Sequence, residues 1–83
     1  MEYMKEIIDL PVYTDKGILV GNVYDIILDS ELKSISGILI KDTNTMLVED
    51  GMPVSIPYRW VKSVGDAVLL HIFPDHVKKP PVR

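Results

Sequence analysis

The side chains that could do chemistry are few and lie near one end of the chain. His71 and His76 are the only histidines, and there is no cysteine. A nucleophilic Ser–His arrangement would have to use one of these two, held close to a serine and oriented by a third group. No G-x-S-x-G turn is present to lift a serine out of a sheet. His71 sits inside the apolar run VLLHIF, where a strand places it on an exposed or half-buried face. Asp75 and His76 follow shortly after, across Pro74, without a spacing known for zinc ligands. The oxygen-rich segments DTNT (42–45) and EDG (49–51) lack the spacing of a calcium loop. Neither of the glycine-rich phosphate loops occurs. These residues point to no enzyme, with no catalytic residue, no metal and no cofactor expected.

One stretch stands out for another reason. IPYRWVKSVGDAVLLHI, residues 56–72, holds the only tryptophan, a basic pair (Arg59 and Lys62) and a Gly-Asp turn leading into an apolar run. Trp60 with Tyr58 could form an aromatic platform for a base or peptide. The favoured reading is that Trp60 plugs one end of a small core, with Arg59 and Lys62 running over its rim.

The elements that must position these residues read as strands. Ile7 to Tyr13 is apolar and β-rich, with Pro11 suited to an edge or a strand start. Thr14-Asp15-Lys16-Gly17 is a tight turn, Gly17 supplying positive φ. Ile18 to Asp29, ILVGNVYDIILD, is a long strand with apolar residues on both faces, so its period-2 pattern is not clean. A bulge or a bend, with Gly21 as bend point, accounts for that. Ile35 to Lys41 is a third strand and Met46 to Val48 a short fourth. Asp50-Gly51 makes a type I′ hairpin into Val54 to Ile56. Pro57 ends that strand, Tyr58-Arg59-Trp60 forms one helical or 3₁₀ turn, and Val61 to Val64 returns to extended chain. Gly65-Asp66 turns it into Ala67 to Phe73. Residues 74–83 are read as a flexible, Pro-rich tail. The result is one domain over residues 1–83, an all-β small barrel of about six strands with a short helical turn before the last hairpin.

Size and charge narrow the function. Eighty-three residues leave room for one core. A chain this short buries roughly 60–65% of its unfolded surface, and without disulfides it depends on apolar burial, supplemented by self-association. A formal charge of −3 and a pI of 5.2 argue against nucleic-acid binding, which uses a basic stripe. No apolar run approaches the roughly 20 residues of a membrane-spanning helix, and MEYMKEII lacks the layout of a secretory signal. The chain is expected to be soluble and cytoplasmic.

Three motifs in order then resemble the PRC-barrel family. DKGILVGNVYDIILD is similar to its D-x-G-x-x-(L/I)-G-x-V-x-D opening, through Gly21, Val23 and Asp25. ISGILI is similar to its second hairpin arm. IPYRWVKSVGDAVLL is similar to its ending, through Pro57, Trp60, Val64, Gly65 and Asp66. The likeness spans about residues 7 to 73, and the Tyr-Arg-Trp-Val-Lys-x-Val-Gly-Asp version resembles stand-alone archaeal members. It implies a barrel in which Val61 and Val64 face the core, Leu69 or Leu70 packs the last strand, and Asp25 bonds nearby backbone amides. It also implies a non-enzymatic adaptor, with SepF or another PRC-barrel protein as partner in FtsZ-based cell division, as a homodimer or heterodimer. Such a protein is recruited to the membrane or division site through its partner. The rival reading is ribosome-assembly docking like the barrel of RimM. Met46, Leu47, Met52, Tyr58 and Arg59 are the candidate interface; Met46, Leu47 and Met52 either complete the core or form an exposed, adaptable edge. If that edge is exposed, charged residues at Leu47 and Met52 give a folded monomer.

Overall fold

A computed structural model describes residues 6–78. Six strands form a single sheet: β1 (Pro11–Tyr13), β2 (Leu19–Asp29), β3 (Ser34–Lys41), β4 (Val54–Pro57), β5 (Val61–Val64) and β6 (Val68–Leu70), in the spatial order β4-β3-β2-β1-β6-β5. All neighbours are antiparallel except β1 and β6. Strands β4 and β5 are consecutive in the chain yet lie at the two ends of this order. Only Tyr58–Trp60, a 3₁₀ turn, separates them, a reach of roughly 13 Å from Pro57 to Val61. The sheet must therefore curl round its core until its edges approach. They do not pair: the expected small six-stranded barrel is an open, curled sheet. Pro57, which has no N–H to donate, and the 3₁₀ turn take the chain round the corner without a ladder.

The core follows from alternation on the inner face. Val12, Val23, Ile38, Ile40, Ile56, Val68 and Leu70 are buried there with Val20, Ile7, Leu47, Val48 and Phe73. Leu70, not Leu69, packs the last strand. Trp60 packs against this core, half-buried and edge-on to Phe73 with ring centroids 6.4 Å apart.

Turn chemistry acts where the residue types place it. Gly17 takes φ 78°, and the Thr14 hydroxyl accepts from the amides of Lys16 (3.1 Å) and Ile18 (3.2 Å). Asp50 and Gly51 both take positive φ, as a type I′ turn requires, and Met52 N–H donates to Glu49 O at 3.3 Å. That turn does not join paired strands, however. Residues 45–47 form a turn rather than the expected strand, and Val48 bridges in parallel to Val77. Val77 N–H donates to Leu47 O (2.7 Å) and Glu49 N–H to Val77 O (2.8 Å). The segment read as a tail from residue 74 is thus held at Val77; residues 79–83 lie outside the described residues.

One further expectation changes. Ile7 to Leu10 is not strand: Ile7 ends a helical turn, which Asp9 breaks at φ 71°, and β1 begins only at Pro11. Asp42 to Thr45 is a clamp on the start of β2. Asn44 N–H donates to Val20 O (2.8 Å), its Nδ2 to Leu19 O (2.9 Å), and its Oδ1 accepts from Met46 N (2.9 Å). Buried Thr43 donates its hydroxyl to Met52 O at 2.7 Å. Thr43→Val keeps the shape and strands that carbonyl, so urea melts are expected to show a loss of about 1–2 kcal/mol.

Candidate interaction surface

The residues singled out by sequence do not converge on one place. Leu47 is only 8% exposed and belongs to the core, with Met52 packed against it, whereas Met46 is 81% exposed. The exposed alternative therefore holds for Met46 alone. Charged residues at Leu47 test folding rather than association. Met46→Lys is expected to change stability by less than about 0.5 kcal/mol, a thermal melt being the check. Tyr58 is half-buried against the core and Arg59 is exposed beside it. Together with Glu6, Ile7, Val64 and Gly65, Tyr58 lines a shallow groove.

Among the motif residues, Gly21 and Val23 are buried, and Pro57 and Trp60 half-buried. Val64 is 41% exposed and does not face the core as expected; only Val61 packs against it. In a regular strand Val61 and Val64, three apart, take opposite faces; the register shift between Val61 and Ser63 sets Val64 opposite buried Val68, but at the end of an edge strand it stays exposed. Gly65 and Asp66 form the exposed last turn, Gly65 N–H donating to Ala67 O at 3.0 Å. Asp25 does accept a backbone amide, that of Ile26, at 2.8 Å, but on the exposed surface rather than in the core.

The histidines stay apart from any recognisable constellation. His71 is exposed past the end of β6, its backbone N–H bonded to Trp60 O at 2.8 Å. Its recess is shared with Thr14, Asp15, Gly17, Lys62, Leu69 and Leu70. Among the described residues no group of three or more His, Asp or Glu side chains is placed to hold a metal ion. Lys16 reaches Asp75 at 3.6 Å with both side chains largely in water, a pair worth little.

The feature that sequence reasoning missed is the far half of the β2–β3 hairpin. Strand β1 pairs with β2 only at Leu19–Asn22, and backbone bonds from Asp9 and Leu10 extend this to Val23. Strand β4 covers β3 only from Gly37 to Ile40. Residues 24–36 therefore form a hairpin ribbon whose β2 edge pairs with no further strand among the described residues; β4 backs it as far as the Ile27–Gly37 pair, and beyond that pair it is two-stranded. Tyr24, Ile27, Leu28 (53% exposed) and Leu32 (75% exposed) lie on it in water, while Ile26 and Ile35 lean on the core. Register shifts at Val23/Asp25 and Ile27/Leu28 twist the ribbon and put apolar residues on both faces. The available signal was the uneven alternation of ILVGNVYDIILD.

The fold is a small curled all-β sheet with apolar side chains on its surface. The chain matches the PRC-barrel domain family over residues 1–77 and belongs to it. No curated protein is similar enough to the chain to match it. The PRC barrel is a non-catalytic interaction domain. Among the described residues no helix is long and apolar enough to cross a membrane.

Proposed function

We propose that this protein is a non-enzymatic adaptor acting by protein–protein contact, an accessory factor in FtsZ-based cell division that engages SepF or another PRC-barrel protein as a homodimer or heterodimer. It is cytoplasmic and reaches the membrane or division site through that partner. Membership of an interaction-domain family supports the contact role, and the resemblance of the Tyr58-Arg59-Trp60-Val61-Lys62 ending to stand-alone archaeal members supports the division role. The observation that carries the reading is the apolar surface: Ile18, Leu19, Tyr24, Ile27, Leu28, Leu32, Met46, Val64, Leu69 and Ile72 are all exposed. Single exposed apolar residues are ordinary, but several on one ribbon are characteristic of a contact surface. A fluorescent fusion in the native cell is expected to gather at midcell. Cosedimentation with ribosomes, without a midcell band, overturns the division role in favour of a ribosome-assembly docking module.

A further inference from the structure

Strand β2 has a free edge from Tyr24 to Asp29. Among the described residues, backbone bonds to this stretch come only from the β3 side or from within the ribbon, and the pairing of residues 9–13 with β2 reaches no further than Val23. An open strand edge, here backed by β3 along its length and by β4 as far as Ile27, is a template for another strand. Two features blunt it. The Tyr24 bulge twists it, and the Asp25 carboxylate occupies the amide of Ile26 at 2.8 Å. The second device is reversible: an incoming carbonyl can take that amide and release the carboxylate.

The charge on the ribbon selects the occupant. Residues 24–36 hold Asp25, Asp29 and Glu31 against Lys33 alone, net −2 of the chain's −3. A second copy laid antiparallel on the same edge and centred on Ile27 sets Asp25 opposite Asp29 of the other copy, at both ends of the pair. Like charges directly opposite destabilise a ladder, and in any other register net −2 still meets net −2. A strand with apolar residues and interspersed Lys or Arg has the opposite sign. It covers Ile27 and Leu28 and gives the freed Asp25 a partner.

We infer that the Tyr24–Asp29 edge is a docking site for an extended, basic and apolar segment of another protein, added to the sheet as a seventh strand with Asp25 exchanging its amide for a Lys or Arg. This rests on the adaptor reading and names its contact site. The test uses the ¹⁵N-labelled full chain, titrated with a blocked eight-residue peptide of alternating lysine and valine and with its glutamate–valine counterpart. Amide shifts are expected at residues 24–29 and 34–36 with the lysine peptide only. They should weaken at least tenfold in about 0.5 M salt, where screening is strong, and likewise in Asp25→Lys/Asp29→Lys. Both substitutions are on the ribbon away from the core, and a dispersed amide spectrum verifies folding. Should that variant not fold, the salt dependence and the glutamate peptide carry the test alone. No shift up to millimolar peptide, equal binding of the glutamate peptide, or shifts confined elsewhere overturns the inference. Partners that a pull-down recovers equally with wild type and with the folded double variant also overturn it, and leave the adaptor reading standing.

Discussion

Gly21→Val is expected to destabilise the protein by at least about 3 kcal/mol, enough to leave a substantial unfolded fraction in a domain whose total stability is about 5–15 kcal/mol. Gly21 lies in β2 with β1 on one side and β3 on the other, opposite Val12. A Cβ there would sit 2.5 Å from the carbonyl oxygen of Lys41 and 2.7 Å from Cγ2 of Ile40. Cγ2 of Ile40 sits on the branched Cβ of a fully buried residue and has little room to turn, and the Lys41 carbonyl belongs to the backbone of β3, whose Lys41 pairs with Asn22. Relief requires moving one central strand relative to another. Overpacking of side chains alone costs about 1–3 kcal/mol, and a clash with fixed backbone exceeds that range. Gly21→Ala is expected to show most of the same loss, since its Cβ makes both contacts. Urea unfolding followed by circular dichroism measures it; an unfolding free energy within about 1 kcal/mol of wild type would contradict the close approach of β2 and β3.

Ile38→Ala is the second large effect, an expected loss of about 2–5 kcal/mol, with Ile38→Val losing about 0.5–1.5 kcal/mol. Ile38 is fully buried at the middle of β3, opposite Ile26 on β2 and Ile56 on β4. Both neighbours are held in their ladders, so the cavity left by truncation closes only partly and the lost contacts are not recovered. The same change at Leu69, which is exposed on the outer face of β6, is expected to cost less than about 1 kcal/mol. Urea melts of the three variants check the ordering. Equal losses at Ile38 and Leu69 would mean that the core does not lie on the inner face described.

These effects bear on how much of the molecule could be read from residue types. Local chemistry transferred well. Thr14–Gly17, Asp50–Gly51 and Tyr58–Trp60 take the turn conformations that their residues favour, because a few adjacent dihedrals decide them. Strands β2 and β3 were legible from long β-branched runs. Contacts between distant segments were not. Met46–Val48 has the composition of a strand, but the residue that pairs with Val48 is Val77, in a stretch whose prolines and charges suggest a tail. Ile7–Leu10 is apolar enough for either a strand or a helical turn, and a run that short has no period to separate them. Val64 could share the inner face with Val61, three residues earlier, only through an irregularity in β5; the shift near Lys62 supplies one, yet the end of an edge strand leaves Val64 exposed.

The candidate surface was legible only in part. Reasoning from Met46, Leu47 and Met52 gave one exposed residue and two that pack on the core, since hydrophobic type alone does not tell core from contact surface. The ribbon depends on where β1 and β4 stop, which no single strand records. Its sequence trace, apolar residues on both faces between Tyr24 and Leu28, is what a strand looks like when neither face is consistently inside. Asp25 is the instructive case. A carboxylate in an apolar strand suggested a buried group satisfied by amides, and it does hold an amide, but at the sheet's free edge, where that bond can be exchanged.

The measurement that most directly tests the adaptor account is a crosslinked pull-down of the tagged protein from native lysate, read by mass spectrometry. The account predicts recovery of SepF, FtsZ or another PRC-barrel protein well above an untagged control. Recovery of ribosomal proteins in their place would contradict the division role and leave a ribosome-docking module as the better reading of the same fold.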